Sequence, residues 1–398
     1  MSHEKEYAVH KAPIFTPTFF VVLAVVLAGV ALMGYRYFMG VGAVSNLSDG
    51  WPWGIWLAYD VAVGSAIACG GYVMAITVYI MNNFKYHAMI RSAVLASMFG
   101  YCLAGLSIMV DIGRYWNSYG FFIPERMNTN SVMFEVALCI MAYCMVLIIE
   151  FLPAVFERFA ELGDKWPRLA KMSKAAYKGL DKALIFIIAL GVTLPSMHQS
   201  SLGSLYITMG YKLHDLWQTM FLPLLFLGNA VLMGFSIMAF ETVLSTRQLR
   251  RPFEKEIVSL SKVIPYVIAF WIIVRFVSIT VSGAWDDAFS LSWLSLYFWL
   301  EIILLLIPGY IIFATEYGKS QSGIFLCGVL LLIGGGMYRF GVYIVGFNPG
   351  DEWAAYFPSI SEFVITLSMI GIEVLGYMVL VKLLPVLPNL AAHHHGKK

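Results

Sequence analysis

Five ionisable side chains stand inside or at the ends of long apolar stretches: Asp60, Asp111, Arg114, Glu135 and His198. An imidazole, carboxylates and a guanidinium are the groups that pass protons and hydrogen-bond to carbonyl oxygens. A charged group at the centre of a hydrocarbon layer costs about 3 kcal/mol or more, so its presence points first to function and next to a structural pair. Arg114 follows Asp111 by three residues and either pairs with it or snorkels to an interface. Glu150, followed by Pro153, and Glu241 lie near the opposite ends of their stretches. Each is a proton-entry group or an interfacial acid. Arg275, Glu301, Arg339 and Glu373 balance as two bases and two acids, which predicts a structural charge network rather than a conduction path.

The elements that hold these groups follow from composition. Of 398 residues, 60% are hydrophobic and only 13% are charged, against roughly 25% charged in soluble proteins; mean hydropathy is +0.77. That composition specifies an all-α integral membrane protein. A crossing helix needs ~20 apolar residues, and ten runs qualify: Thr18–Met39, Trp53–Met81, Ala88–Ile112, Ser131–Phe151, Ala183–Leu202, Leu216–Leu244, Val258–Thr280, Leu291–Ala314, Ser322–Val345 and Ile360–Leu384. The expected architecture is two four-helix bundles, residues 53–202 and 216–345, flanked by the first run (18–39) and the last (360–384). The connection between the fourth and fifth runs is long, basic and expected to be partly helical.

Alternate loops divide the basic residues unevenly. Twenty Lys and Arg fall on the side of the termini and three, Arg114, Arg126 and Lys212, on the other. By the positive-inside rule both termini are expected in the cytoplasm. The segment from Met1 to Pro17 reads as the start of a span and not as a removable signal peptide. On this orientation Asp60 sits ~11 Å in from the outer end of the second run. Asp111 and Arg114 close the third, Glu135 lies about one turn into the fourth, and His198 roughly one turn before the end of the fifth. One outer layer therefore collects them. Pro195, three residues before His198, predicts a kink that frees backbone carbonyls. The outer segments carry Trp51, Trp53, Trp116, Trp217, Trp285, Trp293 and Trp353. These form an interfacial aromatic belt or, in Gly113–Asn130 and Phe347–Pro358, a docking surface for a partner.

Several chemistries have little support. A net charge of +2 gives no reason to expect nucleic acid. Cys69, Cys102, Cys139, Cys144 and Cys327 form no C-x-x-C pair and are expected to pack. Iron–sulfur ligation needs clustered Cys, and a membrane cytochrome b uses paired axial ligands, usually His. Of eight His, only His198 lies in a run; His3, His10, His87, His214 and His393–His395 are terminal or in loops. The chain is therefore expected to hold no haem and no metal.

Four stretches resemble one family: Pro52-Trp53-Gly54-Ile55-Trp56 to Asp60, Asp111-Ile112-Gly113-Arg114-Tyr115-Trp116-Asn117, Asn130-Ser131-Val132-Met133-Phe134-Glu135, and Pro195-Ser196-Met197-His198-Gln199-Ser200-Ser201-Leu202-Gly203-Ser204. Phe347-Asn348-Pro349-Gly350 and Tyr356-Phe357-Pro358 extend the likeness. They look like the membrane subunit of hydrogenase-2-type NiFe hydrogenases, within the polysulfide-reductase-type, NrfD-like family of quinone-reactive anchors. The resemblance implies an outer ferredoxin-like iron–sulfur subunit, large and small hydrogenase subunits beyond it, and a bacterial or archaeal cytoplasmic membrane. It also implies a site for a quinone, expected to be menaquinone, in the first bundle. Asp60, Asp111, Arg114 and His198 are then the candidates for the chemistry, with Trp53, Tyr101 and Gln199 joining Asp60 and His198 around the quinone. Glu135, Glu150 and Glu241 are the candidates for proton transfer. The competing reading is an ion-coupled secondary transporter, which shares intramembrane acids and broken helices; another NrfD-type oxidoreductase anchor is the nearer alternative.

Overall fold

In hydrocarbon the backbone must satisfy its own hydrogen bonds, so each apolar run closes into helix. The computed structural model describes residues 7–9, 12–161, 166–249 and 255–388. His3, His10, His393–His395 and Lys165 of the basic connection lie outside them. Ten helices are long and apolar enough to span: Pro17–Met39, Leu57–Ile80, Phe84–Asp111, Val132–Glu161, Lys182–Ile207, Leu222–Gln248, Lys255–Ser282, Trp293–Ala314, Gln321–Val345 and Ile360–Leu383. They match the ten runs one for one and make the protein an all-α, multi-pass membrane protein. Side-chain caps fix several starts: Thr16 accepts from the Phe19 amide, and Ser359 and Glu362 form a reciprocal capping box. The basic connection is helical from Pro167, continuous with the fifth span to Ile207.

The irregular backbone of the fold lies in the second and ninth spans. The Pro167–Ile207 helix passes Pro195 without ending. The second span is the broken one: Leu57–Gly64 and Ile76–Ile80 are π-helical, with a turn at Ala68–Cys69 between them. A π turn bonds i to i+5 and shifts the register of the helix beyond it, a device common at functional sites. The ninth span ends in a further π segment, Gly341–Val345.

The second span contacts the third, fifth, sixth, ninth and tenth, which makes it the spine of the molecule. Spans six to nine close a ring of contacts of their own, and the first span packs along the tenth. The even number of spans returns the chain to its starting face, where Tyr7–Ala8 pairs antiparallel with Leu387–Pro388. Small residues allow the helices to approach closely. A Cβ on Gly203 would stand 2.4 Å from the Leu222 carbonyl oxygen, and one on Gly234 would stand 2.7 Å from that of Cys69.

Trp217, expected in the interfacial belt, is instead fully buried. Gly341 and Gly346 leave room for its ring; a Cβ there would come within 2.5 and 2.7 Å of the indole. Its Nε1 donates to Glu301 at 3.3 Å, so the indole meets an acid rather than lipid headgroups.

Overpacking a tight contact costs roughly 1–3 kcal/mol. Gly203→Val is therefore expected to lower the thermal midpoint of the detergent-solubilised protein by several degrees. Gly179→Ala, whose Cβ would meet nothing within 4 Å, is expected to hold or raise it, because Ala favours helix over Gly by about 1 kcal/mol. Equal midpoints for wild type and Gly203→Val would contradict the close approach of the fifth and sixth spans.

Candidate functional site

The Ser65 hydroxyl is shared by two spans. On the second span it donates to the Val61 carbonyl at 2.5 Å. From the fifth span, Gln199 Nε2 donates to it at 3.0 Å and His198 Nε2 lies 3.2 Å away. Because the hydroxyl hydrogen is committed to Val61, the imidazole must supply the proton in its own bond. That assigns the neutral tautomer with hydrogen on Nε2 and a lone pair on Nδ1. Nδ1 of His198 and Oε1 of Gln199 are both buried and without a partner. Two acceptors thus stand side by side in an apolar interior.

Tyr101 of the third span completes this group. Gln199 Nε2 also donates to its hydroxyl, at 3.3 Å, and Cys69 Sγ lies 3.6 Å from the same oxygen. The Tyr101 ring meets His198 and Tyr143 edge to face, with centroids 5.6 and 4.5 Å apart. Tyr101, His198 and Gln199 are all fully buried. Asp60 lies one π turn before Ser65 and accepts from Ser107 Oγ at 2.5 Å. Ser201, three residues beyond His198 on the same helix, donates to Glu135 at 2.8 Å. Spans two to five therefore assemble Asp60, Tyr101, His198 and Gln199, with Glu135 joined through Ser201.

Other candidates go elsewhere. The helix ends at Asp111, and the chain turns through Gly113, leaving Arg114 exposed. Among the described residues it forms no pair with Asp111. Asp111 instead accepts from Trp56 Nε1 at 2.6 Å. The buried guanidinium nearby is Arg36 of the first span, which donates to the Ile112 carbonyl and lies over the Tyr37 and Tyr115 rings. Trp53 packs near Tyr343, ring centroids 6.3 Å apart. Glu150 faces Gly191 of the fifth span, where a Cβ would stand 2.8 Å from its carboxylate. Glu241 accepts from Tyr377 of the tenth span.

The expected network of four charges divides. Arg275 and Glu301 form a fully buried pair at 3.4 Å, and Arg275 also donates to the Leu216 carbonyl at 2.6 Å. Arg339 meets no acid among the described residues; it donates to Asn229 Oδ1 and to the carbonyls of Ala62 and Phe226. Glu373 lies within electrostatic range of Asp60 and Glu241. Equal numbers of bases and acids gave the count but not the partners. The sequence reading also missed Ser65 and gave Arg36 no role. A serine in an apolar run is ordinary, and nothing in the sequence marks the π segment that precedes Ser65.

Residues 43–348 match the family described as polysulphide reductase, NrfD. The chain belongs to the NrfD polysulphide reductase family. Two relatives extend this. The probable Ni/Fe-hydrogenase 2 b-type cytochrome subunit of Escherichia coli K12 is 42% identical, covering 91% of this chain and 90% of its own. The menaquinone reductase integral membrane subunit of Nitratidesulfovibrio vulgaris Hildenborough is 25% identical over 88% of this chain and 86% of its own.

The first of these names corrects the expectation of no haem. A relative at 42% identity is described as a b-type cytochrome subunit, which means haem b. The histidine count addressed only axial pairs supplied by this NrfD chain itself. Of the described imidazoles, His87, expected in a loop, sits in the first turn of the third span beside Tyr79; His198 alone lies deep within a span, and its neighbours are Ser65, Gln199 and Tyr101. They give one axial donor and no facing second one, so no step of the chemistry is routed through a haem.

Proposed function

We propose that this NrfD chain is the quinone-reactive membrane subunit of an oxidoreductase complex. Electrons arrive from an outer ferredoxin-like iron–sulfur subunit and pass to a quinone beside Ser65, His198 and Gln199. The observation that carries this reading is the pair of unpartnered buried acceptors, His198 Nδ1 and Gln199 Oε1. A buried polar atom without a partner costs about 1–3 kcal/mol, so the site is complementary to a ligand that brings hydroxyl hydrogens into an apolar cleft. A quinol has two of them on an apolar ring. The relatives support the same assembly: one is named for hydrogenase 2 and one for menaquinone. The donor complex is accordingly a NiFe hydrogenase with large and small subunits, and the quinone is menaquinone. The chain lies in the cytoplasmic membrane with both termini inside, as the basic loops favour.

Reducing a quinone consumes two electrons and two protons. A proton placed on His198 Nδ1 makes that nitrogen a donor to one ring carbonyl. After transfer the lone pair returns and accepts the new hydroxyl. Asp60, carrying Ser107 on its carboxylate, is the protonatable group one turn away and reloads the imidazole. Glu135 reaches the same helix face through Ser201. A cytoplasmic supply would start at Glu150, 15 residues along the same span, ~22 Å away, and so needs water between. With that supply, hydrogen oxidation outside and quinone reduction leave positive charge outside; with protons drawn from outside the cycle is electroneutral.

His198→Ala is expected to reduce quinone turnover by roughly 100-fold or more while hydrogen oxidation with an artificial acceptor continues. Purification tests the larger assignment alongside it: nickel, iron and quinone that travel with the chain support it, and an isolated carrier of substrate flux supports the transporter reading. In proteoliposomes, Glu135→Gln is expected to leave assembly intact and abolish proton uptake coupled to quinone reduction. Wild-type coupling in that variant would place the relay elsewhere.

A further inference from the structure

Two guanidinium groups lie at zero exposure in the spans of the second half of the chain, and their surroundings differ. Arg275 is matched by the Glu301 carboxylate at 3.4 Å. Arg339 has no carboxylate at ion-pair distance among the described residues. Its Nε donates to Asn229 Oδ1 at 2.7 Å, Nη1 to the Ala62 carbonyl at 2.6 Å, and Nη2 to the Phe226 carbonyl at 2.8 Å. Its guanidinium carbon lies 4.7 Å from the centre of the Phe226 ring. Three oxygen dipoles solvate the cation, but none cancels its charge.

The placement is specific. Ala62 belongs to the π segment Leu57–Gly64 of the second span, between Asp60 and Ser65. Arg339 itself stands just before the π segment of the ninth span. The guanidinium therefore ties the ninth span to the turn of the second span that carries the Ser65 hub. Tyr101, Cys69 and His198 all lie within its electrostatic range. In such an interior, charge acts at an effective dielectric near 20 rather than 80 and is little screened by salt. A structural staple needs the fork of donors. It does not need an uncompensated charge, which a carboxylate such as the one beside Arg275 would have neutralised.

We propose that Arg339 is the fixed positive charge of this site, a positioning residue that favours negative charge on a ligand beside Ser65 and His198. This rests on the quinone reading above and adds to it a ligand class: ring systems that carry, or acquire, negative charge on oxygen. Electrons reach a quinone as negative charge that its oxygens must hold until protons follow. A cation held by backbone carbonyls is already oriented for that charge, with no side chain to move.

The test uses the purified complex and two probes of nearly equal shape. One is a hydroxynaphthoquinone, ionised at the working pH; the other is its neutral O-methyl ether. Wild type is expected to bind the ionised probe about tenfold more tightly than the ether, a difference of about 1.4 kcal/mol. Arg339→Gln should lose the preference between the two probes, whatever its affinity for the ether. Arg339→Lys keeps the charge and should keep the preference even where the carbonyl contacts loosen. A wild type that binds the ether equally well overturns the proposal, and so does Arg339→Gln with its preference intact. Should Arg339→Gln fail to assemble, Arg339→Lys decides: ether binding retained without anion preference overturns it. A wild type that binds neither probe sinks the quinone reading itself.

Discussion

The Ser65 hydroxyl has one hydrogen, and the Val61 carbonyl takes it. From that commitment the rest of the site follows. Gln199 and His198 must both donate toward Ser65, so the amide oxygen and Nδ1 are the atoms left over. Both are buried, and water cannot satisfy them from the hydrocarbon side. The hydroxyl's own position depends on the π turn that precedes it, and that turn is held by Arg339 through the Ala62 carbonyl. One irregular helix thus couples the packing of two groups of spans to the hydrogen-bond pattern of a ligand site.

The second span can carry that irregularity because it is surrounded. It touches five other spans and is buried over most of its length, which lets protein replace the backbone bonds that a π turn disturbs. The peripheral spans show the opposite pattern. The first, fourth, fifth and eighth expose large apolar side chains such as Phe20, Met145, Phe186 and Phe313 to the lipid. Their job is to be solvated by hydrocarbon and to hold the centre in place.

The sequence made the ten spans legible because length and apolarity alone decide whether a helix crosses. It made Asp60 and His198 legible because a charge in an apolar run has few uses. It failed where partners, not residue types, decide. Spacing leaves Arg114 either paired with Asp111 or at an interface, and only the helix end after Asp111 decides: Trp56 takes the acid and Arg114 is exposed. A count of charges suggests one network of Arg339, Glu373, Arg275 and Glu301, yet Asn229 and two backbone carbonyls hold Arg339 while Arg275 and Glu301 pair by themselves. Trp217 was read as interfacial because most tryptophans near outer ends are, whereas two glycines opened a space for it in the core. The haem expectation failed for a related reason: counting one ligand type within one chain does not describe what an assembly holds.

Resolving the quinone ring in a density map of the purified complex tests the account most directly. A ring oxygen is expected within hydrogen-bond distance of His198 Nδ1 or Gln199 Oε1, in the layer shared by Asp60 and Tyr101. A ring resolved instead beside Glu241 and Tyr377, or beside Glu373, would contradict it.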